Sequence, residues 1–440
     1  VGFFDSQGWE AIPVPEIRPF TGIRYAPSHL SAGVLAPPFD VIDEEQRRAL
    51  AERSPHNVVV IDKGPVDHGD EWYALAAAVR DRWLEQGVLL RDPTPGFYGY
   101  RQSFSMQGQE YTRTGFVAAV RLAPWGQGVH PHERTRTGDR ADRLKLTRAL
   151  HANMSPVFGL YSDTAGTLDR FLEPPEEPLL DEVPVDGVRH TFWRIDDAES
   201  VEELRSQIAS RDIVIADGHH RYETALAYQA EMRSQQPLAT ASQAWDYVMM
   251  YLTNADAPGL VILPTHRLVN KSNLDQEALL HSLGSQFEIY PLWDHSQIAE
   301  RLRSAAESTL SLAMYTRDMG NFMLKLKAGV GKPSASRPQG ESLLEALDVV
   351  ALQERILCPL LGISQEDLAA SAGVTYTTDA DVALREVREG RAELAFILNP
   401  TTTEQVWRAA TTGLFMPQKS TYFYPKLLTG LVFNPLDDPR

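Results

Sequence analysis

The stretch VIADGHHRYETALAY, residues 214–228, places an acid, a glycine, two histidines and an arginine between two apolar runs. The run before it predicts a buried strand, and the spacing of Tyr222, Leu226 and Ala230 predicts a helix after it. Gly218 lies at the junction. A glycine is favoured there if the backbone needs an unusual conformation or if a ligand approaches the backbone closely. Because the first turn of a helix offers amide donors and the positive end of the dipole, this junction is a candidate anion site.

The side chains around this junction support the same interpretation. Arg221 could grip a phosphate through two hydrogen bonds, and a protonated His219 or His220 could add positive charge. Two alternatives stay open. Asp217 could simply cap the helix while the histidines lie on the surface. A metal could instead be held by Asp217, His219 and His220, although adjacent histidines rarely point at one ion.

A second polar segment, VHPHERTRTGDRADR (129–143), follows an apolar strand. Its side chains could bind a metal, exchange protons or hold phosphates. The candidates for the first two roles are His130, His132 and Glu133, and those for the third are Arg134 and Arg136. The alternative is a solvated loop held by salt bridges.

The third segment is MPQKSTYFYPK, residues 416–426. Lys419, Ser420 and Thr421 are in the order that ends a Walker motif, but the glycines that curl such a loop are absent, so a P-loop is rejected. A lysine beside two hydroxyls and three aromatic rings still fits a phosphate contact next to a base-stacking wall. A simple packing contact is the open alternative.

Charge and composition exclude several classes of function. The net charge of -17 is opposite to the balance that nucleic-acid binding requires. No apolar run reaches the ~18 residues that a membrane-spanning helix needs. The single cysteine, Cys358, excludes an intrachain disulfide, and the acidic N-terminal residues do not resemble an export signal. We therefore predict a cytoplasmic protein that binds neither nucleic acid nor membrane.

The elements that must position these segments are hairpins mixed with strand–helix units. Strands at 96–106 and 110–122 around QGQ predict a hairpin, HNVVVID (56–62) predicts a buried strand, and 343–358 predicts one long helix. This mixture indicates an α+β fold with mixed, largely antiparallel sheets and flanking helices. We predict an N-terminal α+β region (1–125), a central domain carrying the DGHHR motif (126–330) and, after a linker at 328–341, a C-terminal α/β region (331–440) that packs back on the site.

The order of several sequence blocks resembles the domain-of-unknown-function family numbered 1015, from Ile17 to about Asn434. The blocks are IRPFTGIRY, APPFDVI, HERT, DRLKL, ANMSPVFGLY, IADGHHRYETA, PTHR and MPQKSTYFYPKLLTGLV. This resemblance also suggests a link to serine metabolism.

The DGHHRYETA block is further similar to the glycine–histidine–arginine signature of the ParB and sulfiredoxin superfamily, which includes nucleotide-binding members and a free-serine kinase. This similarity implies a ParB/sulfiredoxin-like core around residues 190–290, in which Gly218, His219 or His220, and Arg221 touch nucleotide phosphates. The chain departs from the superfamily in two ways. His219 stands where sulfiredoxin has its nucleophilic cysteine, which argues against sulfinate repair, and the acidic charge opposes DNA partition.

Together these observations predict a phosphotransferase that uses ATP or ADP, with Mg²⁺, on a small hydroxyl substrate, as a free-serine kinase does. The catalytic candidates are Glu133, Asp217, His219 and His220, with Glu133 or Asp217 as the base. The cofactor-binding candidates are Gly218, Arg221, Arg134, Lys419, Ser420 and Thr421, and no residue is assigned as a resident metal ligand.

Two alternative functions stay open. One is a metal-dependent phosphoesterase that uses His130, His132, Glu133 and Asp217. The other is a non-catalytic, nucleotide-responsive binding module. In each case the expected partner is a small-molecule hydroxyl or phosphate substrate, and assembly into a homo-oligomer is left open.

Overall fold

A computed structural model describes residues 15–134, 137–183, 187–237, 242–270, 275–293, 298–306, 309–329 and 343–437 of the 440-residue chain. The chain forms two compact units. Unit 1 comprises Val1–Pro131, Thr135–Leu260 and Pro425–Arg440. Unit 2 comprises His132–Arg134 and Val261–Tyr424.

Strands and helices are numbered along the chain. The strands are β1 Ile17–Arg18, β2 Ile23–Tyr25, β3 Leu89–Arg91, β4 Phe97–Met106, β5 Gln109–Arg121, β6 Val129–His130, β7 Ala152–Asn153, β8 Val157–Tyr161, β9 Leu180–Glu182, β10 Arg189–Ile195, β11 Ile213–Asp217, β12 Tyr247–Asn254, β13 Val261–Leu263, β14 His266–Val269, β15 Phe287–Leu292, β16 Ser311–Thr316, β17 Gly320–Leu326, β18 Val374–Thr377, β19 Leu394–Ile397, β20 Tyr422–Tyr424 and β21 Asn434–Pro435. The α-helices are α1 Glu44–Arg53, α2 Val59–Asp62, α3 Glu71–Glu85, α4 Thr137–Leu150, α5 Ala198–Ile208, α6 His219–Gln235, α7 Gln276–Leu283, α8 Ile298–Ala306, α9 Asp348–Leu352, α10 Gln365–Ala370, α11 Ala380–Arg388 and α12 Thr403–Thr411.

Unit 1 is built on a mixed sheet with the strand order β6-β11-β8-β12-β5-β4-β10-β9, and β1 pairs with β5. The β6–β11 and β8–β12 pairs are parallel, whereas the other pairs are antiparallel. The predicted hairpin is confirmed as β4 and β5. Gln107 and Gly108 both have positive φ at its turn, as a two-residue hairpin turn requires.

The core of unit 1 holds α6 against this sheet. All eight residues of β12 are buried, because both of its faces are covered. Tyr222 and Ala225 of α6 join the same apolar cluster as Ile213 and Ile215 of β11. The Tyr222 hydroxyl donates to the carbonyl of Ala123 at 2.8 Å and accepts from its amide at 3.0 Å, which fixes the position of α6.

Unit 2 is built on an antiparallel sheet with the order β15-β17-β16-β19-β14-β18. Helices α8 and α11 pack on it through an apolar cluster that includes Ile298, Leu302, Leu384 and Val387. A separate two-stranded ribbon pairs β13 with β20. The two sheets together confirm the predicted α+β class with mixed and antiparallel pairing.

The strand predicted at HNVVVID (56–62) is wrong, because residues 59–62 form helix α2. Asn57 explains the difference. Its side-chain oxygen accepts from the Val59 amide at 3.0 Å, and its side-chain nitrogen donates to the carbonyls of Gly33 and Leu35 at 2.9 and 3.0 Å. These bonds set a turn that starts the helix, and they override the strand preference of the valines.

The single long helix predicted at 343–358 is also wrong. Leu347 is extended and precedes α9, and Gln353–Leu357 form a π-helix whose wider turn is closed by the Cys358 amide bonding to Gln353 at 3.0 Å. Strands β13 and β14 are separated at Pro264 and Thr265. Proline has no amide to give to a ladder, so the break falls there.

Two predictions about organisation are not settled. Most of the proposed linker at 328–341 lies outside the described residues, and the division at residues 125 and 330 stays a prediction. The ParB/sulfiredoxin-like core around 190–290 stays a prediction too. None of the helices in the described stretches is both long and apolar enough to cross a lipid bilayer.

We predict that Gly115→Ala destabilises the protein by about 2–3 kcal/mol, because overpacking a core forces backbone shifts. An added Cβ would lie 2.2 Å from the Leu252 carbonyl oxygen and 2.7 Å from the Tyr251 ring. Urea unfolding measures the loss. Gly33→Ala is the matched control, since its Cβ would meet nothing closer than 3.5 Å. Equal stability of the two variants would contradict this account of how tightly β5 and β12 pack.

Candidate functional site

The β11–α6 junction in unit 1 has the strand–glycine–helix geometry that the sequence indicates. The first four residues of β11 are buried, and its pairing with β8 is irregular between Ile215 and Asp217. Gly218 follows with φ 90° and ψ 28°, a left-handed conformation that favours glycine, and it is the N-cap of α6. Asp217 therefore does not cap the helix, which rules out that alternative.

Asp217 forms an ion pair with Lys426 at this junction. The Lys426 Nζ donates to Asp217 Oδ2 at 2.8 Å, and the Gly218 amide donates to Oδ1 at 2.7 Å. The side chain of Lys426 is only 17% exposed, and that of Asp217 is 21% exposed. Burial opposes ionisation, but the charges of Lys426 and Arg221 outweigh it and hold the pKa of Asp217 well below its ordinary value. The lowered pKa makes the Asp217 carboxylate a weak base.

Arg221 lies against the backbone at the start of the same helix. A Cβ added to Gly218 would come within 2.8 Å of its Nε and 2.9 Å of its Cζ. The guanidinium Nη1 donates to the Pro156 carbonyl, and Nη2 lies 3.9 Å from Asp217 Oδ1. Its charge is thus placed at the N-terminus of α6, with one of its donors already in use.

The neighbouring histidines differ in burial. His219 is buried, and its charge contributes to lowering the pKa of Asp217, whereas His220 is half-buried. The interpretation of both as surface residues is therefore wrong for His219.

Arg221 also lines a narrow cleft, together with Asp62, Arg143, Ser155 and Thr224. Arg143 Nη1 donates to the Asp62 carbonyl at 2.7 Å and its carboxylate at 3.2 Å. Burial raises the pKa of Asp62, although Arg143 and Arg221 act in the opposite direction. The Thr224 hydroxyl is buried and has no hydrogen-bond partner among the described protein atoms. A buried hydroxyl without a protein partner indicates that the cleft binds a polar molecule, which can be as small as water.

Lys426 is a site residue that the sequence interpretation missed, because nothing local relates it to Asp217. Its backbone is held by the β4–β5 hairpin. Gln102 Nε2 donates to the Lys426 carbonyl at 3.0 Å, and Arg113 Nη2 donates to the Pro425 carbonyl at 2.5 Å. Gln102 and Arg113 are almost completely buried, so the main chain that carries Lys426 is rigidly placed.

In unit 2, residues 132–134 lie along the segment 416–421. The Met416 amide donates to the His132 carbonyl at 2.8 Å, and the Ser420 amide donates to Glu133 Oε1 at 3.2 Å. The His132 ring is fully buried, with Nε2 3.0 Å from Thr421 Oγ1 and 3.8 Å from Glu133 Oε1. Unit 2 thus brings together the predicted residues Glu133, Ser420 and Thr421.

Lys419 occupies a turn of unusual geometry in the same segment. Its φ is 60°, in the left-handed region that residues other than glycine rarely adopt, and its side chain is exposed. Arg267 Nη2 donates to the Lys419 carbonyl at 2.9 Å, and Thr401 Oγ1 donates to the Ser420 carbonyl at 3.0 Å. Strained backbone of this kind clusters at functional sites. Arg267 belongs to the PTHR block, whereas Thr401, which also holds the turn, was not identified from the sequence.

The remaining arginines of the second segment have separate positions. Arg134 is exposed, with its guanidinium 5.4 Å from the centre of the Phe415 ring, and its carbonyl accepts from Gln418 at 3.3 Å. Arg136 lies outside the described residues. In unit 1, His130 Nε2 lies 3.0 Å from Asp212 Oδ1. Over the described ranges, no three His, Cys, Asp or Glu side chains lie close enough to hold a metal ion.

Several solved structures resemble this chain at low identity. A conserved hypothetical protein from Pyrococcus furiosus is 12% identical, with a TM-score of 0.34, over 71% of this chain and 92% of that one. Free serine kinase in complex with AMP is 12% identical, with a TM-score of 0.32, over 70% and 86%. SbnI with a C-terminal truncation, from Staphylococcus aureus, is 9% identical, with a TM-score of 0.34, over 71% and 85%. TM-scores this low carry no argument about the site.

No curated protein matches the sequence. The family described as "Protein of unknown function (DUF1015)" matches residues 17–350, which is well over half of the chain. The family predicted from the sequence blocks is thereby confirmed. The chain belongs to the DUF1015 family of proteins of unknown function.

Proposed function

We propose that this protein is a cytoplasmic, nucleotide-dependent phosphotransferase that acts on a small hydroxyl substrate. One observation carries the proposal: the Asp217–Lys426 ion pair lies beside the Arg221 guanidinium at the N-terminus of α6. Two cations and one carboxylate leave a net positive charge there, which suits a phosphate group. The signature resemblance of Gly218 and Arg221 to nucleotide-binding proteins supports the same assignment.

Phosphoryl transfer asks a protein mainly to position the reactants and to neutralise charge. In the proposal, Arg221 and Lys426 contact the nucleotide phosphates. His219 and His220 lie next to these phosphates, and the Gly218 backbone lines the phosphate-binding site. Asp217 keeps Lys426 in place.

The proton acceptor is assigned to Glu133 rather than Asp217. The low pKa of Asp217 makes it a weak base, since proton transfer is efficient when the two pKa values are matched. The Glu133 carboxylate is 19% exposed and accepts a bond from the Ser420 amide. In unit 2, Arg134, Lys419 and Thr421 are the proposed contacts for anionic groups of the reactants.

ATP or ADP would bring Mg²⁺ with it. Nucleotide-borne Mg²⁺ is held by one or two carboxylates plus phosphate oxygens, so it does not require a preformed cluster of three ligands. Either Glu133 in unit 2 or Asp217 in unit 1 could supply the oxygen donors that this ion prefers. The ion would supply additional neutralisation of phosphate charge.

We predict that Arg221→Ala weakens binding of ATP and ADP by at least tenfold, about 1.4 kcal/mol or more, because a charge-assisted contact is lost. Isothermal titration measures the affinity, and a thermal melt checks that the variant is folded. Lys145→Ala is the matched control, since it removes the same charge from an exposed pair with Asp70. If the wild-type protein binds neither nucleotide, or if both variants bind alike, the proposal is wrong.

A second prediction separates the structural role of the ion pair from its function. Lys426→Met should lower stability by about 3 kcal/mol, because it leaves the largely buried Asp217 carboxylate without its cation. Adding Asp217→Asn should restore most of that stability, as measured by urea unfolding, but not nucleotide affinity. Full recovery of affinity in the double variant would mean that the pair serves only to stabilise the fold.

The third prediction concerns Glu133. With ATP or ADP and Mg²⁺, phosphorus NMR should detect transfer to at least one member of a panel of small alcohols and hydroxy amino acids. Glu133→Gln should lower kcat by about 10²–10⁴-fold, the range expected for loss of a general base, with nucleotide affinity unchanged. Glu366→Gln, an exposed acid in α10, should behave as wild type. Unchanged kcat in Glu133→Gln would remove this residue from the chemistry.

A further inference from the structure

A cavity of about 230 Å³ in unit 2 is lined by the carboxylate of Asp348. Asp348 is the first residue of α9. Of the described residues that line the cavity, it is the one that can ionise. The others are uncharged, and the polar ones are Thr309, Asn399, Thr401, Thr402 and Gln405.

The Asp348 carboxylate is held by neutral donors. Its Oδ2 accepts from Asn399 Nδ2 at 2.8 Å and from the Asn399 amide at 3.4 Å. Burial raises its pKa to about 6, while the bonds from Asn399 and the Ser311 backbone act in the opposite direction. A carboxylate in this position gains from a cation that reaches it through the cavity.

The N-terminus of α12 forms part of the cavity wall, but its cap is already satisfied. Thr402 Oγ1 accepts from the Gln405 amide at 3.2 Å, and Gln405 Oε1 accepts from the Thr402 amide at 2.9 Å. Glu404 in the first turn further offsets the helix dipole. This end of the helix is therefore poorly prepared for an anion.

Leu310, Leu347, Val349 and Pro400 form the apolar part of the wall, beside polar residues such as Thr309 and Thr401. A volume of about 230 Å³ is below the range of roughly 300–1,000 Å³ typical of sites for drug-sized ligands. The guest that fits is therefore a small molecule with one cationic end and a short hydrocarbon portion.

We propose that this cavity is a binding site for a small primary amine, with the ammonium group at Asp348 and the hydrocarbon portion against Leu347, Val349 and Pro400. The site goes beyond the proposed phosphotransfer and does not depend on it. A failure of nucleotide binding would leave it unaffected, and its own failure would leave the proposed function unaffected.

Titration calorimetry of the full chain with propylamine, propanol and propionate tests the proposal. Propylamine should bind with a Kd of about 1 mM, in keeping with what four non-hydrogen atoms can supply, and the other two should bind at least tenfold more weakly. Affinity for propylamine should rise about tenfold from pH 5 to pH 8, because Asp348 ionises over this range while the amine stays protonated.

Three variants make the result specific to the cavity. Asp348→Asn preserves the shape of the side chain and should weaken propylamine binding at least tenfold and remove its pH dependence. Ala346→Phe, at an exposed position, should fill the cavity and also abolish binding. Asp381→Asn, which removes an exposed acid from α11, should bind as wild type.

Several outcomes overturn the proposal. One is that propanol or propionate binds as tightly as propylamine or more tightly. A second is that Asp348→Asn, shown by a thermal melt to be folded, binds propylamine with unchanged affinity. A third is that no binding is detected at a propylamine concentration about tenfold above the expected Kd. Retained binding in Ala346→Phe would place the amine elsewhere on the protein.

Discussion

The contact between Asp217 and Lys426 is the interaction on which the candidate site of unit 1 depends. A carboxylate at the end of a buried strand is costly to ionise, and it becomes tolerable because a lysine 209 residues along the chain donates to it at 2.8 Å. That lysine is in turn held through its backbone and that of Pro425 by Gln102 and Arg113 of the β4–β5 hairpin. One ion pair thus joins three parts of the chain that are far apart in sequence.

The sequence predicts correctly those elements whose conformation is determined by residues close together in the chain. The β4–β5 hairpin follows from alternating apolar residues around Gln107 and Gly108, which both adopt positive φ. The β11–α6 junction follows from an apolar run, a glycine and the helical spacing of Tyr222, Leu226 and Ala230. Helix α2 could not be predicted in the same way. A short apolar run fits a strand or a buried helix equally well, and Asn57 decides the outcome through carbonyls 22 and 24 residues away.

The candidate site shows the same limit. The sequence identifies Asp217, Gly218 and Arg221 as a group, because a strand, a glycine and a helix start follow one another there. It does not reveal that the pKa of Asp217 is lowered, since a main cause is the distant Lys426. Nor does it reveal that Ser420 donates to Glu133, a contact across 287 residues. Residue types and spacing indicate which side chains can do chemistry, whereas their protonation and partners are determined by packing between distant segments.

Two buried acids of this protein illustrate how packing determines the role of a side chain. Burial acts against ionisation at both Asp217 and Asp348. Asp217 has cations of its own, so its pKa falls and it serves as a fixed anchor for Lys426. At Asp348, burial outweighs the neutral hydrogen-bond donors and raises the pKa to about 6, so the charge is stabilised best by a cation from outside the protein. The same side chain is thus part of the scaffold in one unit and a receptor for a ligand in the other, and the difference is whether the chain itself supplies the counter-charge.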